Sequence, residues 1–91
     1  MSAAPTREAV HAMLSTKFRP AEELPRKRGV TSGFQVCDAD ADGVSVAHYH
    51  SYADAPSSEP KSARLARYAD LLAEHYAVEW RVGSLRVTVK R

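Results

Sequence analysis

The sequence predicts a single α+β domain, in which an N-terminal helix precedes a β-β-α-β-β unit whose antiparallel sheet carries the second helix on one face. Apolar and polar residues alternate on both sides of glycine-containing turns near residues 43 and 83, which predicts two hairpins. Between the hairpins, apolar residues recur at helical spacing. A length of 91 residues favours one domain. We divide the chain into an N-terminal helix and basic linker at 1–32 and the β-β-α-β-β domain at 33–91.

The first helix is predicted from Thr6 to Phe18. Its first residue is a favourable N-cap, and Val10, Met13 and Leu14 recur near helical spacing. The stretch from Pro25 to Gly33 is basic and contains helix-breaking residues, which predicts a linker before the main domain. The sequence leaves open whether this helix packs on the domain or projects from it as an arm.

The first hairpin is predicted at residues 33–50. Asp42-Gly43 lies between its strands and readily adopts the positive backbone angles of a tight turn. We expect Cys37 to be a small buried strand residue. Apolar side chains alternate on the two strands at Phe34, Val36, Val44 and Val46.

The second helix follows a loop at residues 53–60, with Ser58 as its predicted cap. A helix of this length is marginal in isolation and needs tertiary burial, so it should pack across the sheet. The apolar stripe that would make this contact consists of Leu65, Tyr68, Ala69, Leu72 and Tyr76.

The second hairpin is predicted around a turn at Gly83-Ser84. Trp80 lies in the same alternation as Val78 and Val82, so we expect it in the core. Further along the chain, Leu85, Val87 and Val89 continue the apolar pattern. The opposite face of this hairpin should present Glu79, Arg81, Arg86, Thr88 and Lys90.

Charge is distributed unevenly along the chain. The net formal charge is +3 over residues 1–32, −5 over residues 33–60 and +4 over residues 61–91. Such asymmetry suggests an acidic or polyanionic partner for one face, although exposed solvated charge gives the same count. The candidate residues for binding protein or nucleic acid are Arg26, Lys27, Arg28, Arg64, Arg67, Arg81, Arg86 and Lys90.

Two clusters are candidates for a metal. Residues 38–43 match the first six positions of an EF-hand calcium loop. Tyr49 stands where that loop needs a bidentate glutamate, and the intervening residues predict a strand, so an acidic hairpin turn is favoured. His48 and His50 share one strand face, but two imidazoles are too few for a zinc, copper or nickel site. No cofactor is predicted, and the candidate metal ligands are Asp38, Asp40, Asp42, His48 and His50.

Several functional classes are disfavoured. The chain has no glycine-rich phosphate loop and no nucleophile elbow, so it is not expected to be an enzyme. No apolar run approaches the ~20 residues that span a bilayer, and Met1–Pro5 does not resemble a secretory signal. A lone cysteine fits a reducing compartment, and we expect a cytoplasmic protein. Because so short a chain has modest stability, a protein partner or a second copy is expected to matter.

The segments Leu65-Ala66-Arg67-Tyr68-Ala69-Asp70-Leu71-Leu72-Ala73-Glu74, Val78-Glu79-Trp80 and Leu85-Arg86-Val87-Thr88-Val89 resemble small uncharacterised α+β proteins of actinobacteria and their phages. The many alanines and the nine Arg against four Lys agree with a high-GC genome. This resemblance extends over residues 33–91 and follows the order of elements. By analogy it implies a phage accessory factor, of the kind that includes recombination directionality factors, which bind a serine integrase and reverse its preference.

Three hypotheses follow. The leading one is a noncatalytic accessory or regulatory protein that binds a partner protein through the basic face of the second hairpin, the exposed side of the second helix, or the N-terminal helix. The second is a DNA- or RNA-binding protein that uses the same arginines. The third is a metal-dependent activity at the Asp38–Asp42 and His48–His50 region.

Overall fold

A computed structural model describes residues 4–22, 31–50 and 60–90 of the chain. It confirms the α+β class and the order of one helix followed by β-β-α-β-β. The elements are α1 (Arg7–Ser15), β1 (Gly33–Asp40), β2 (Gly43–Tyr49), α2 (Lys61–Leu72), β3 (Tyr76–Arg81) and β4 (Ser84–Val89).

The four strands form one antiparallel sheet in the order β1-β2-β4-β3. Both helices pack on the same face of this sheet, because side chains from both helices and from β1, β2 and β4 belong to one buried cluster. The structure is therefore a two-layer domain. Its core consists of Val10, Leu14, Phe34, Val44, Val46, Leu65, Tyr68, Leu72, Leu85 and Val87.

Helix α1 begins as the sequence predicts and packs on the domain. The Thr6 side-chain oxygen accepts a hydrogen bond from the N–H of Ala9 at 3.1 Å, which satisfies one of the free donors at the helix N-terminus. The helix ends at Ser15, before the predicted end at Phe18. Val10 and Leu14 are completely buried in the core, so this helix is part of the domain and not an arm.

The chain after α1 runs beside β1. The N–H of Phe34 donates to the carbonyl oxygen of Arg19 at 3.1 Å, and the N–H of Ala21 donates to the carbonyl oxygen of Phe34 at 2.9 Å. Gly33 permits this approach, since a Cβ there would overlap the backbone of Arg19 and Pro20. One end of the β1 edge is thus covered.

The first hairpin is confirmed, but its turn lies one residue earlier than predicted. Ala41 and Asp42 form the loop, and Gly43 is the first residue of β2, opposite Asp40. A Cβ at Gly43 would overlap the carbonyl oxygen of Val87 in β4. Glycine is required here for the close approach of two strands, and not for a positive backbone angle as the sequence suggested.

Helix α2 begins at Lys61, and its N-cap is Pro60, which makes no side-chain capping hydrogen bond. The predicted cap at Ser58 is therefore wrong, and Ser58 itself lies outside the described residues. At the other end of the helix, the Lys90 side chain donates to the carbonyl oxygen of Ala73 at 3.0 Å. A cation at this position satisfies a free carbonyl and interacts favourably with the helix dipole.

The second hairpin turns at Val82-Gly83, again one residue earlier than predicted, and Gly83 has a φ of 74°. Trp80 is 51% exposed and Val82 is fully exposed, so the prediction of a buried Trp80 is wrong. Val46 and Leu85 lie in the same row across the sheet and are completely buried. Tyr76 and Val78 of the outer strand β3 pack against the core, but the cover of the helices ends before Trp80.

Cys37 is exposed and not buried as the sequence suggested. Phe34 and Val36 face the helices, and successive strand residues point to opposite faces of a sheet. The alternation therefore places Cys37 on the face that the helices leave uncovered.

Replacing Gly43 with alanine should lower the free energy of unfolding by about 1–3 kcal/mol, because the new methyl group requires β2 and β4 to separate. Urea denaturation followed by circular dichroism measures this change. The control is Gly83→Asn, because asparagine tolerates a positive φ and a Cβ at Gly83 meets nothing within 4 Å. Equal stability of Gly43→Ala and the wild type would contradict the close contact between β2 and β4.

Replacing Leu14 with alanine tests the packing of α1. We expect a loss of about 2–5 kcal/mol in the free energy of unfolding, as for other fully buried leucines. Lys17 is exposed, so Lys17→Ala should change stability by no more than about 0.5 kcal/mol. If the two substitutions had the same small effect, α1 would not be part of the core in solution.

Candidate binding surface

Neither helix covers the sheet face opposite the core. We call it the open face. Strand alternation and the ladder registers place on it Gln35, Cys37, Ser45, Ala47, Tyr49, Ala77, Glu79, Arg81, Arg86 and Thr88. Small side chains occupy much of its centre, so long side chains at its β3 and β4 side stand above a flat surface.

The charged residues of the open face lie on β3 and β4. Arg86 stands between Ser45 of β2 and Glu79 of β3 in the strand ladder. The guanidinium of Arg81 lies 3.3 Å from the carboxylate of Glu79, and both side chains are more than half exposed. Two arginines thus share this half of the open face with one glutamate, and it carries a net positive charge.

A groove of about 690 Å³ lies at the end of the sheet where the turn of the first hairpin meets β4. Its walls combine one acidic and two basic side chains with small and apolar ones. This volume is in the range of small-molecule sites, but convergent polar groups are also needed for such a site. The residues that line the groove are Ala4, Asp42, Ala77, Val78, Arg86, Thr88, Val89 and Lys90.

The predicted basic residues do not form one surface. Arg81 and Arg86 lie on the open face, whereas Arg64 and Arg67 are on α2, in the opposite layer. Lys90, expected on the open face, lines the groove with Arg86, and its side chain donates to the carbonyl oxygen of Ala73, the C-cap of α2. The predicted binding residues Arg26, Lys27 and Arg28 lie outside the described residues.

The aspartates of the calcium-like motif lie at the tip of the first hairpin. Asp38 and Asp40 belong to the end of β1, and Asp42 is in the turn. A guanidinium nitrogen of Arg7 lies 3.9 Å from the Asp38 carboxylate, which is 73% exposed. This segment has a strand on each side, in place of the two helices of an EF-hand.

The two histidines of β2 differ in their surroundings. The Nδ1 atom of His48 lies 2.7 Å from the hydroxyl oxygen of Tyr68, within hydrogen-bonding distance, and Tyr68 is buried. His50 follows the end of the strand. Within the described ranges, no three His, Cys, Asp or Glu side chains are grouped so that they could hold a metal ion. The contact between His48 and Tyr68 links the sheet to α2.

Sequence reasoning missed one feature of the surface, the exposed Trp80 and Val82 at the end of the second hairpin. Trp80 occupies an edge strand next to the turn. The apolar alternation identifies the face on which Trp80 lies, but burial also depends on the order of the strands. Only the order β1-β2-β4-β3 shows that β3 is at the edge.

The chain matches no known family model, and no curated protein or solved structure matches it significantly. Neither α1 nor α2 is long and apolar enough to cross a membrane, and the same holds throughout the described ranges.

The contact between His48 and Tyr68 predicts that the two histidines contribute differently to stability. His48→Ala should lower the free energy of unfolding by about 1–3 kcal/mol, because it leaves the buried hydroxyl of Tyr68 without this partner. His50→Ala, at the end of the same strand, is the matched control and should have a smaller effect. Thermal or urea unfolding measures both, and a larger loss for His50→Ala would contradict the assignment.

Proposed function

We propose that this protein acts without catalysis, as an accessory or regulatory protein that binds an acidic surface of a partner protein on its open face. The observation that carries the proposal is the position of Arg86. This residue projects from the inner strand β4 onto the face that neither helix covers. An arginine on a flat sheet surface is well suited to bidentate contact with a carboxylate.

The composition of the open face also supports a protein partner. Arginine and tyrosine are enriched at the centres of protein interfaces, and Tyr49 lies on this face with Arg86. The small side chains Ser45, Ala47 and Ala77 allow a partner to approach the sheet closely.

A noncatalytic role is supported by the dispersal of the reactive side chains. Cys37 lies on the open face, His48 faces Tyr68 in the other layer, and the aspartates lie at the hairpin tip. Nucleophilic or acid–base catalysis requires such groups within hydrogen-bond reach of one another in a pocket.

Binding to nucleic acid is the second candidate. The exposed arginine Arg67 on α2, together with Arg81 on the opposite layer, gives the domain positive charge on both sides. Phosphate contacts of this kind are sensitive to salt and insensitive to sequence. The role in phage recombination implied by the resemblance is one specific form of the first candidate, in which the partner is an integrase.

The proposal predicts that Arg86→Glu abolishes capture of an acidic partner protein. Immobilised wild-type protein should recover this partner from an extract of the native host, and purified partner should then bind Arg86→Glu at least about tenfold more weakly, a loss of about 1.4 kcal/mol. Arg67→Glu makes the same change of charge on the other layer and should bind like the wild type.

Duplex DNA and single-stranded RNA at low salt distinguish the two candidates. Binding that falls steeply with salt and weakens equally in Arg67→Glu and Arg86→Glu would favour the nucleic-acid role. A partner protein that binds both variants like the wild type would refute the open face as its site.

A further inference from the structure

The outer side of β3 offers backbone hydrogen-bonding groups to another strand. Residues that flank a two-residue hairpin loop exchange backbone hydrogen bonds, and here these are Arg81 and Ser84. Because hydrogen-bonded pairs alternate along an antiparallel ladder, Glu79 also bonds to β4, whereas Val78 and Trp80 direct their N–H and C=O groups outward. No strand of the described ranges pairs with this side of β3.

The other edge of the sheet is protected. The N–H and C=O groups of Phe34 are bonded to the segment Arg19–Ala21. The opposite end of β1 carries acidic side chains, and its register shifts between Asp38 and Asp40. Irregularities, charges of one sign and covering segments are ways in which proteins prevent pairing at an edge. The register between β3 and β4 has no such shift.

The side chains of β3 are complementary to those of a second β3. Glu79 and Arg81 have opposite charges and alternate with the apolar residues Val78 and Trp80. Trp80 is half exposed and Val82 is fully exposed, and exposed apolar residues of this size are typical of interaction sites when they cluster. Both the alternating charges and the exposed apolar side chains of β3 thus match those of a second, antiparallel β3.

We infer that the protein forms a two-fold symmetric homodimer in which β3 pairs antiparallel with β3 of a second copy, with Trp80 on the two-fold axis. In this register, Glu79 of each copy lies opposite Arg81 of the other, which gives two symmetric ion pairs. The two Trp80 side chains face each other on the helix side of the sheet. Val82 of each copy lies opposite Val78 of the other. The apolar side chains of Trp80 and Val82, exposed in one copy, are then covered by the second copy.

Neighbouring registers are less favourable. An axis at Glu79 or at Arg81 would place two like charges directly opposite each other, which is destabilising. An axis at Val78 would leave Glu79 opposite Ala77 and Val82 without an apolar neighbour. An axis between two residues would oppose an outward-facing backbone group to an inward-facing one, which the ladder does not permit. Only an axis at Trp80 brings opposite charges together, covers the apolar side chains and aligns the outward-facing backbone groups.

This pairing is closed. Each copy uses its β3 edge once, and the same patch contacts itself across the axis, so a dimer forms and not a filament. The two sheets would join into one continuous sheet, and their open faces would lie side by side. The inference does not depend on what the open face binds.

Sedimentation velocity of the full chain over a wide concentration range tests this dimer. The wild type should approach twice the 10.0 kDa mass of one chain. Glu79→Arg and Arg81→Glu should each weaken self-association by about tenfold or more, because each places like charges opposite each other at two symmetric positions. An equimolar mixture of the two variants should recover the dimer, since across the axis each introduced charge then faces one of opposite sign.

Recovery in the mixture requires both variants to be folded, so a failure to fold cannot imitate it, and circular dichroism establishes the fold of each alone. Arg67→Glu is the control, because it reverses a charge on α2, away from the β3 edge, and it should remain dimeric. A monomeric wild type, single variants that dimerise like the wild type, or a mixture of folded variants that stays monomeric would each overturn the inference.

Discussion

The contact between β2 and β4 is the constraint on which the rest of the fold depends. Each hairpin is local in sequence, but only this contact, from Gly43 opposite Thr88 to Val46 opposite Leu85, joins them into one sheet. A two-stranded hairpin alone is marginally stable. The missing side chain of Gly43 allows the backbone of Val87 to come close. The same contact aligns Val44, Val46, Leu85 and Val87 under α2, so that sheet and helix share one core.

Joining the hairpins through β4 determines the two edges of the sheet. It leaves β1 and β3 as the outermost strands. These two edges differ in whether another segment pairs with them. β1 receives the segment that follows α1, whose Pro20 bridges to Phe34. No strand of the described residues pairs with the outer side of β3. On this strand, Trp80 is half exposed. An edge of this kind requires either a device against pairing or a partner.

Local patterns in the sequence were sufficient for the elements but not for their arrangement. The alternation at residues 33–50 predicted the first hairpin, and the apolar stripe of α2 predicted the buried Leu65, Tyr68 and Leu72. Strand order depends on contacts between hairpins that no local pattern encodes, so the exposure of Trp80 was missed. Cys37 was assigned to the core from its residue type, although its alternation with Val36 already placed it on the other face.

The charged residues of β3 and β4 fall into two groups by position. Those of β3 lie at the edge that would pair with a second copy, and Arg86 of β4 lies on the open face proposed to bind a partner protein. Within one copy, Glu79 and Arg81 form an exposed pair at 3.3 Å, and such pairs contribute little to stability. Opposite a second β3, the same two residues exchange partners between copies, and their charges remain balanced. Arg86 lies one strand further in and takes no part in this exchange. The edge therefore favours self-recognition, while Arg86 lies away from this edge and is repeated on the joined open faces.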